Sequence, residues 1–143
     1  MLKNIPPILS PDLLHALRAM GHGDEIAIVD ANFPAESSGP TVIRLDGISA
    51  TDVTDAVLSL MPLDDFVEEQ AFAMAVVDEP DRREETHREF EALVQRYEPT
   101  MKLTLVERFA FYERVSGAFA VVQTGERRLY GNILLKKGIV RPE

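Results

Sequence analysis

The sequence predicts an α/β fold, a single domain spanning residues 1–143 with a central, largely parallel sheet flanked by helices. Two observations carry this expectation. Short apolar runs with the length of strands alternate along the chain with longer stretches whose apolar residues recur at helical spacing, the pattern of helices packed on a parallel sheet. No repeat, low-complexity tract or linker interrupts that alternation, and 143 residues lie within the usual range of one domain.

Ser10–Met20 opens the series as a helix. Ser10 suits the N-cap, Pro11 the first helical position and Asp12 the positive end of the helix dipole. Leu13, Leu14, Leu17 and Met20 form a stripe, and Gly21 is a natural stop. Glu25–Asp30 (EIAIVD) is a nearly continuous apolar run, as expected of a strand buried on both faces. Ala31–Pro40 is a loop by composition, and Thr41–Leu45 a second strand ending at the Asp46-Gly47 turn. Ser49 or Thr51 caps a helix over Asp52–Leu60, with Val53, Ala56, Val57 and Leu60 on one face and Pro62 just beyond. Ala71–Val77 is a strand, and Pro80–Tyr97 the longest helix. Leu103–Glu107, Phe119–Thr124 and Gly131–Leu135 supply further strands, with a short helix over Arg108–Ser116.

Bulk chemistry narrows the function. The formal net charge is −9, which repels phosphate backbones and anionic membrane surfaces and argues against a nucleic-acid or membrane partner while leaving a small neutral ligand open. With no cysteine there is no disulfide, thiolate nucleophile or cysteine zinc site. The amino-terminal segment lacks the shape of a signal peptide and no run reaches the ~20 apolar residues of a membrane helix, so a soluble cytoplasmic protein is expected.

Three clusters hold the candidate chemistry. The first is Gly21-His22-Gly23-Asp24, between a helix end and a strand start. A histidine with no bulky neighbour can project into a cleft and exchange protons near neutral pH; it can equally bond a backbone group in a tight turn. Asp30, at the end of the first strand, sits where α/β sheets open their ligand crevice and can bond sugar hydroxyls or orient His22, or simply cap a turn. His22, Asp24 and Asp30 match no established metal-ligand spacing, and no metal or other cofactor is expected. The second cluster is Arg108-Phe109-Ala110-Phe111-Tyr112-Glu113-Arg114, in which Arg108 can hold a polar substrate group and the two phenylalanines read as core. The third runs from Gly125-Glu126 to Tyr130-Gly131-Asn132. Tyr130 and Asn132 can each donate and accept, and Gly131 permits close backbone approach, although a plain turn into the last strand has the same look. His15 and His87 read as surface or structural residues, the Glu84–Glu91 run as a solvated helix face, and Lys136-Lys137 as too short for a nucleic-acid patch.

Taken in order, Gly21–Asp24, the Asp30–Ser37 stretch DANFPAES, RFAFYER at 108–114 and the segment from Gly125-Glu126 through Tyr130-Gly131-Asn132-Ile133 to Lys136-Lys137-Gly138 resemble the RbsD/FucU family of sugar mutarotases and pyranases over nearly the whole chain. Gly23 and the Asn-Phe-Pro-Ala loop side with the fucose branch; the ribose branch has Thr in place of Gly23 and a different loop. The resemblance implies interconversion of the α and β anomers of L-fucose or a related monosaccharide. It implies His22 as proton donor, and Asp30, Arg108, Tyr130 and Asn132 in contact with the sugar. It further implies a homo-oligomeric ring, commonly a decamer, with the site near a subunit boundary. Mutarotation needs one proton delivered to the ring oxygen and one removed from the anomeric hydroxyl, with no cofactor. His22 is expected to handle one and Tyr130, directly or through water, the other. D-ribose pyranase activity, non-catalytic monosaccharide binding or transport support, and a purely structural oligomer-forming domain are the alternatives.

Overall fold

The computed structural model describes residues 1–143. Ten elements follow one another: α1 (Pro11–Ala19), β1 (Glu25–Val29), β2 (Thr41–Leu45), α2 (Ala50–Leu58), β3 (Ala71–Met74), α3 (Glu85–Tyr97), β4 (Leu103–Val106), α4 (Arg108–Ser116), β5 (Ala120–Thr124) and β6 (Ile133–Lys136). The six strands form one sheet in the order β2-β5-β1-β6-β3-β4. β2, β5 and β1 pair in parallel, as do β3 and β4. β6 is antiparallel to both of its neighbours, β1 and β3. Five strands therefore run one way, and their carboxyl ends share an edge with the start of β6.

The near-continuous apolar strands reflect a sheet covered on both faces. Ile26 and Ile28 of β1 point into a core completed by Leu13 and Leu17 of α1, Val53 and Val57 of α2 and Phe90 and Val94 of α3. Ala27 and Val29 alternate onto the opposite face, where Phe111 and Val115 of α4 and Phe33 from the loop after β1 cover them. Burying a side chain of this size contributes about 1.5–3 kcal/mol. No helix is long and apolar enough to cross a membrane.

Cap chemistry sets most boundaries. The Ser10 and Ser49 hydroxyls accept from the Leu13 and Asp52 N–H groups, so Ser49, not Thr51, starts α2. Two boundaries differ from expectation by three residues or more. β3 stops at Met74, before Val77, because the chain turns away there: Val76 bridges Glu79 and Asp78 takes a left-handed φ of 63°. α3 begins at Glu85, not Pro80, since residues 78–82 are spent in that turn.

His87, in the first turn of α3, is fully buried. Its Nδ1 accepts from the Glu84 N–H at 3.0 Å and its Nε2–H donates to the Met74 carbonyl at 2.8 Å, which fixes the neutral Nε2–H tautomer. Burial holds its pKa below the ordinary histidine value, outweighing the bond to Met74. A histidine whose folded pKa is depressed takes up its proton more readily when unfolded. Its contribution to stability is thus complete above the unfolded value and is lost as pH falls through the folded one. Thermal unfolding should show stability declining as pH drops below about 6.5, and H87Q, which does not titrate, should flatten that part of the curve.

Candidate active site

The one-way sheet gathers four of the five expected site residues. Asp30 follows β1, Arg108 follows β4, and Tyr130 and Asn132 lead into β6. All four line a cavity of about 190 Å³ with Asn32, Phe33, Met74, Val77, Tyr112 and Leu129. That is smaller than the roughly 300–1,000 Å³ of pockets for drug-sized ligands and suits a single sugar ring. One wall is polar, from Asp30, Asn32 and Asn132. The opposing wall, from Phe33, Met74, Val77 and Leu129, is apolar.

Asp30 and Asn132 clasp each other. Asn132 Oδ1 accepts the Asp30 N–H at 2.8 Å, and its Nδ2 donates to Asp30 Oδ2 at 3.0 Å, so the amide orientation is settled by its partners. Asp30 Oδ1 accepts the Asn32 N–H, and Gln123 and Thr124 of β5 donate to the Asp30 and Val29 carbonyls. Burial raises the Asp30 pKa above the usual carboxylate value, the bonds from Asn32 and Asn132 opposing it. Gly131 is required here: a Cβ would lie 2.6 Å from Glu126 Cγ and 3.4 Å from Asp30 Cβ. The left-handed backbone falls instead on Tyr130, at φ 60°. Its Oη accepts the Val77 N–H at 3.1 Å, leaving the phenolic proton free to point elsewhere. The Arg108 guanidinium lies 4.5 Å from the Phe109 ring, and its buried Nε has no hydrogen-bond partner within the chain. A buried donor left unpaired costs about 1–3 kcal/mol.

His22 is elsewhere. Its loop precedes β1, with Gly23 N–H on the Lys137 carbonyl and Lys137 N–H on the Asp24 carbonyl, at the amino-terminal edge of the parallel strands. The five residues of β1, about 3.3 Å each, separate it from Asp30. The sequence expectation that Asp30 orients His22 is therefore corrected within one chain. The carboxylate that does so is Asp64, in the segment between α2 and β3: its Oδ1 lies 2.9 Å from His22 Nε2. Burial alone would raise the Asp64 pKa, but the bonds from His22 and from the Phe66 N–H hold it below the usual value. An ionised carboxylate only accepts, so Nε2 carries the hydrogen and Nδ1 is left to exchange protons. Phe66 packs on the imidazole at 4.9 Å. The side chain is 42% exposed. Lys137 steadies this edge by donating from Nζ to the Leu17 and Met20 carbonyls at the end of α1.

Sequence reading missed Asp64 and Phe66, since an Asp-Asp pair before a strand has no distinguishing spacing, and it missed the apolar wall, whose residues look like core. Of the two histidines it read together as structural or surface residues, His87 is buried and His15 exposed.

Residues 3–140 match the model of the RbsD / FucU transport protein family. The human fucose mutarotase is 47% identical over 97% of this chain and 94% of its own. The solved structure of a fucose mutarotase in complex with L-fucose, from Streptococcus pneumoniae, superposes with a TM-score of 0.90 at 41% identity, covering 98% of this chain and all of that one. RbsD of Bacillus subtilis, solved with D-ribose, shares the fold at a TM-score of 0.73 and 22% identity over 99% of this chain and all of that one. The chain belongs to the RbsD/FucU family.

The His22–Asp64 pair makes a prediction of its own. Nitrogen-15 NMR of neutral His22 should report the Nε2–H tautomer, and D64A should return it to a mixture. A tautomer unmoved by that substitution would show that Asp64 does not orient the ring.

Proposed function

We propose that this chain is an L-fucose mutarotase, an isomerase acting on the sugar anomers, whose site is completed by His22 of a second copy. The observation that carries the reading is that the sugar-sized cavity and the His22–Asp64 pair lie at opposite edges of one sheet. A head-to-tail contact joins two different surfaces of identical chains, and repeated with the right rotation it closes a ring. Exposed apolar side chains border both halves: Phe66 and Val67 beside His22, and Phe109, Leu129 and Val77 at the cavity mouth. Such patches rimmed by polar groups mark association surfaces.

The 47% identity to the human fucose mutarotase supports the reaction. So does the cavity: L-fucose is a 6-deoxy sugar whose methyl group suits the apolar lining, while its ring hydroxyls meet Asp30, Asn132 and Arg108. Ring opening delivers a proton to the ring oxygen and removes one from the anomeric hydroxyl. The C1–O5 bond breaks, the aldehyde forms, rotation about C1–C2 presents its other face, and closure reverses the proton transfers. The partner's imidazole, its Nδ1 free because Asp64 holds Nε2, serves one transfer, and the Tyr130 phenol, already accepting from Val77, serves the other. Each positioned group contributes about 10²- to 10⁴-fold.

Exchange NMR between the anomers of L-fucose, with D-ribose for comparison, tests the activity. H22N and D30N should each lose about 10²-fold or more while staying folded. Mixed as subunits and reassembled, the two inactive variants should recover about a quarter of the sites, because one junction in four joins an intact His22 to an intact Asp30. No recovery on mixing would place the working His22 in its own chain.

A further inference from the structure

Tyr130 holds a backbone conformation that a side chain with a Cβ rarely adopts, φ 60°, and such strain persists only where the surroundings over-determine it. Two adjacent residues of α3 supply much of that determination. The Thr86 hydroxyl, itself buried, lies 3.3 Å from both the Leu129 and the Tyr130 carbonyl and shares its single proton between them, gripping the backbone on both sides of the strained φ. His87 grips the other end of the same side chain indirectly. Its Nε2–H holds the Met74 carbonyl at 2.8 Å, and three residues on the Val77 N–H donates to Tyr130 Oη at 3.1 Å. The imidazole also packs against the phenol, with ring centroids 6.2 Å apart.

We propose that Thr86 and His87 are positioning residues for the sugar site, the first turn of α3 acting as a template that aims the Tyr130 hydroxyl at the substrate. Neither residue lines the cavity or touches the sugar; both act through Tyr130. The inference rests on the proposed proton-transfer role of Tyr130. It assigns a function to a buried histidine and threonine that a purely structural reading leaves as core polar groups. It also explains why an element packed mainly on the far side of the sheet sends its amino-terminal turn to the cavity edge.

The test is a double-substitution cycle on the intact protein, read by exchange NMR with L-fucose at enzyme concentrations raised to suit the slow variants. T86V, which keeps shape and deletes the donor, should lower kcat about tenfold with KM within about twofold. In a Y130F background the same change should cost less than about twofold more, because the group it aims is already gone. H87L should behave like T86V. H87Q, whose amide reaches the Met74 carbonyl as Nε2 does, should return kcat to within about threefold of the parent. An equal fold loss from T86V with and without the Tyr130 hydroxyl would overturn the proposal, as would unchanged kcat in T86V. Should H87L fail to fold, T86V and H87Q decide.

A second readout is independent of catalysis. The Val77 amide proton, which reports its bond to Tyr130, should shift in T86V and H87L and stay in place in H87Q. If the parent protein does not accelerate fucose exchange, or if Y130F keeps full kcat, the functional reading fails and the amide still decides the template. A Val77 signal unmoved by T86V overturns it.

Discussion

The buried clasp between Asp30 and Asn132 is the interaction on which the rest of the site depends. It ties the carboxyl end of β1 to the start of the single antiparallel strand, β6, and both partners are almost wholly removed from water. Buried polar groups are tolerated only when satisfied. Here the amide spends one donor and one acceptor on Asp30, which in turn takes the Asn32 N–H. The clasp thereby fixes the turn before β6, the close approach at Gly131 and the place of Tyr130 above the sheet edge. Loosening it would release the polar wall of the cavity at several points together.

Strand direction imposes the second constraint. With five strands running one way, everything that follows a strand collects at one edge, and everything that precedes one collects at the other. Asp30 and Arg108 meet by this rule, Tyr130 and Asn132 join them because β6 runs the other way, and His22 and Asp64 meet at the opposite edge. The proposed proton-transfer groups are thereby carried to two opposite edges of one chain. The head-to-tail contact proposed above would bring the two edges together across a subunit boundary without any further change of fold.

Electrostatics divide the same way. Asp30 is raised by burial, whereas Asp64, also buried, is held low by the bonds it accepts from His22 and Phe66. Two carboxylates of the same kind thus differ in what surrounds them: one lines the cavity among amide donors, the other bonds an imidazole nitrogen. The acidic charge of the whole chain plays no part in that distinction.

Much of this was legible without coordinates. The alternation of strand and helix, the serine caps of α1 and α2 and the glycine demanded at position 131 follow from local rules: hydrophobic period, hydrogen-bonding side chains at helix starts, and the room a Cβ needs. The grouping of Asp30, Arg108, Tyr130 and Asn132 came from the family resemblance of their motifs, since strand-end position alone does not say which ends share an edge. Three things were not legible. Asp64 and Phe66 lie more than forty residues from His22, and nothing in their neighbourhood marks them as its partners. The reversal of β6 sets which loops share an edge, yet its apolar run reads the same in either direction. The distance between His22 and the cavity depends on strand order and direction together, which are settled by long-range packing and are absent from any local stretch of sequence. Residue types, local spacing and motif resemblance determined which groups were candidates for the chemistry; only the tertiary structure decided which of them meet within one chain, because the sheet carries the two halves to opposite edges.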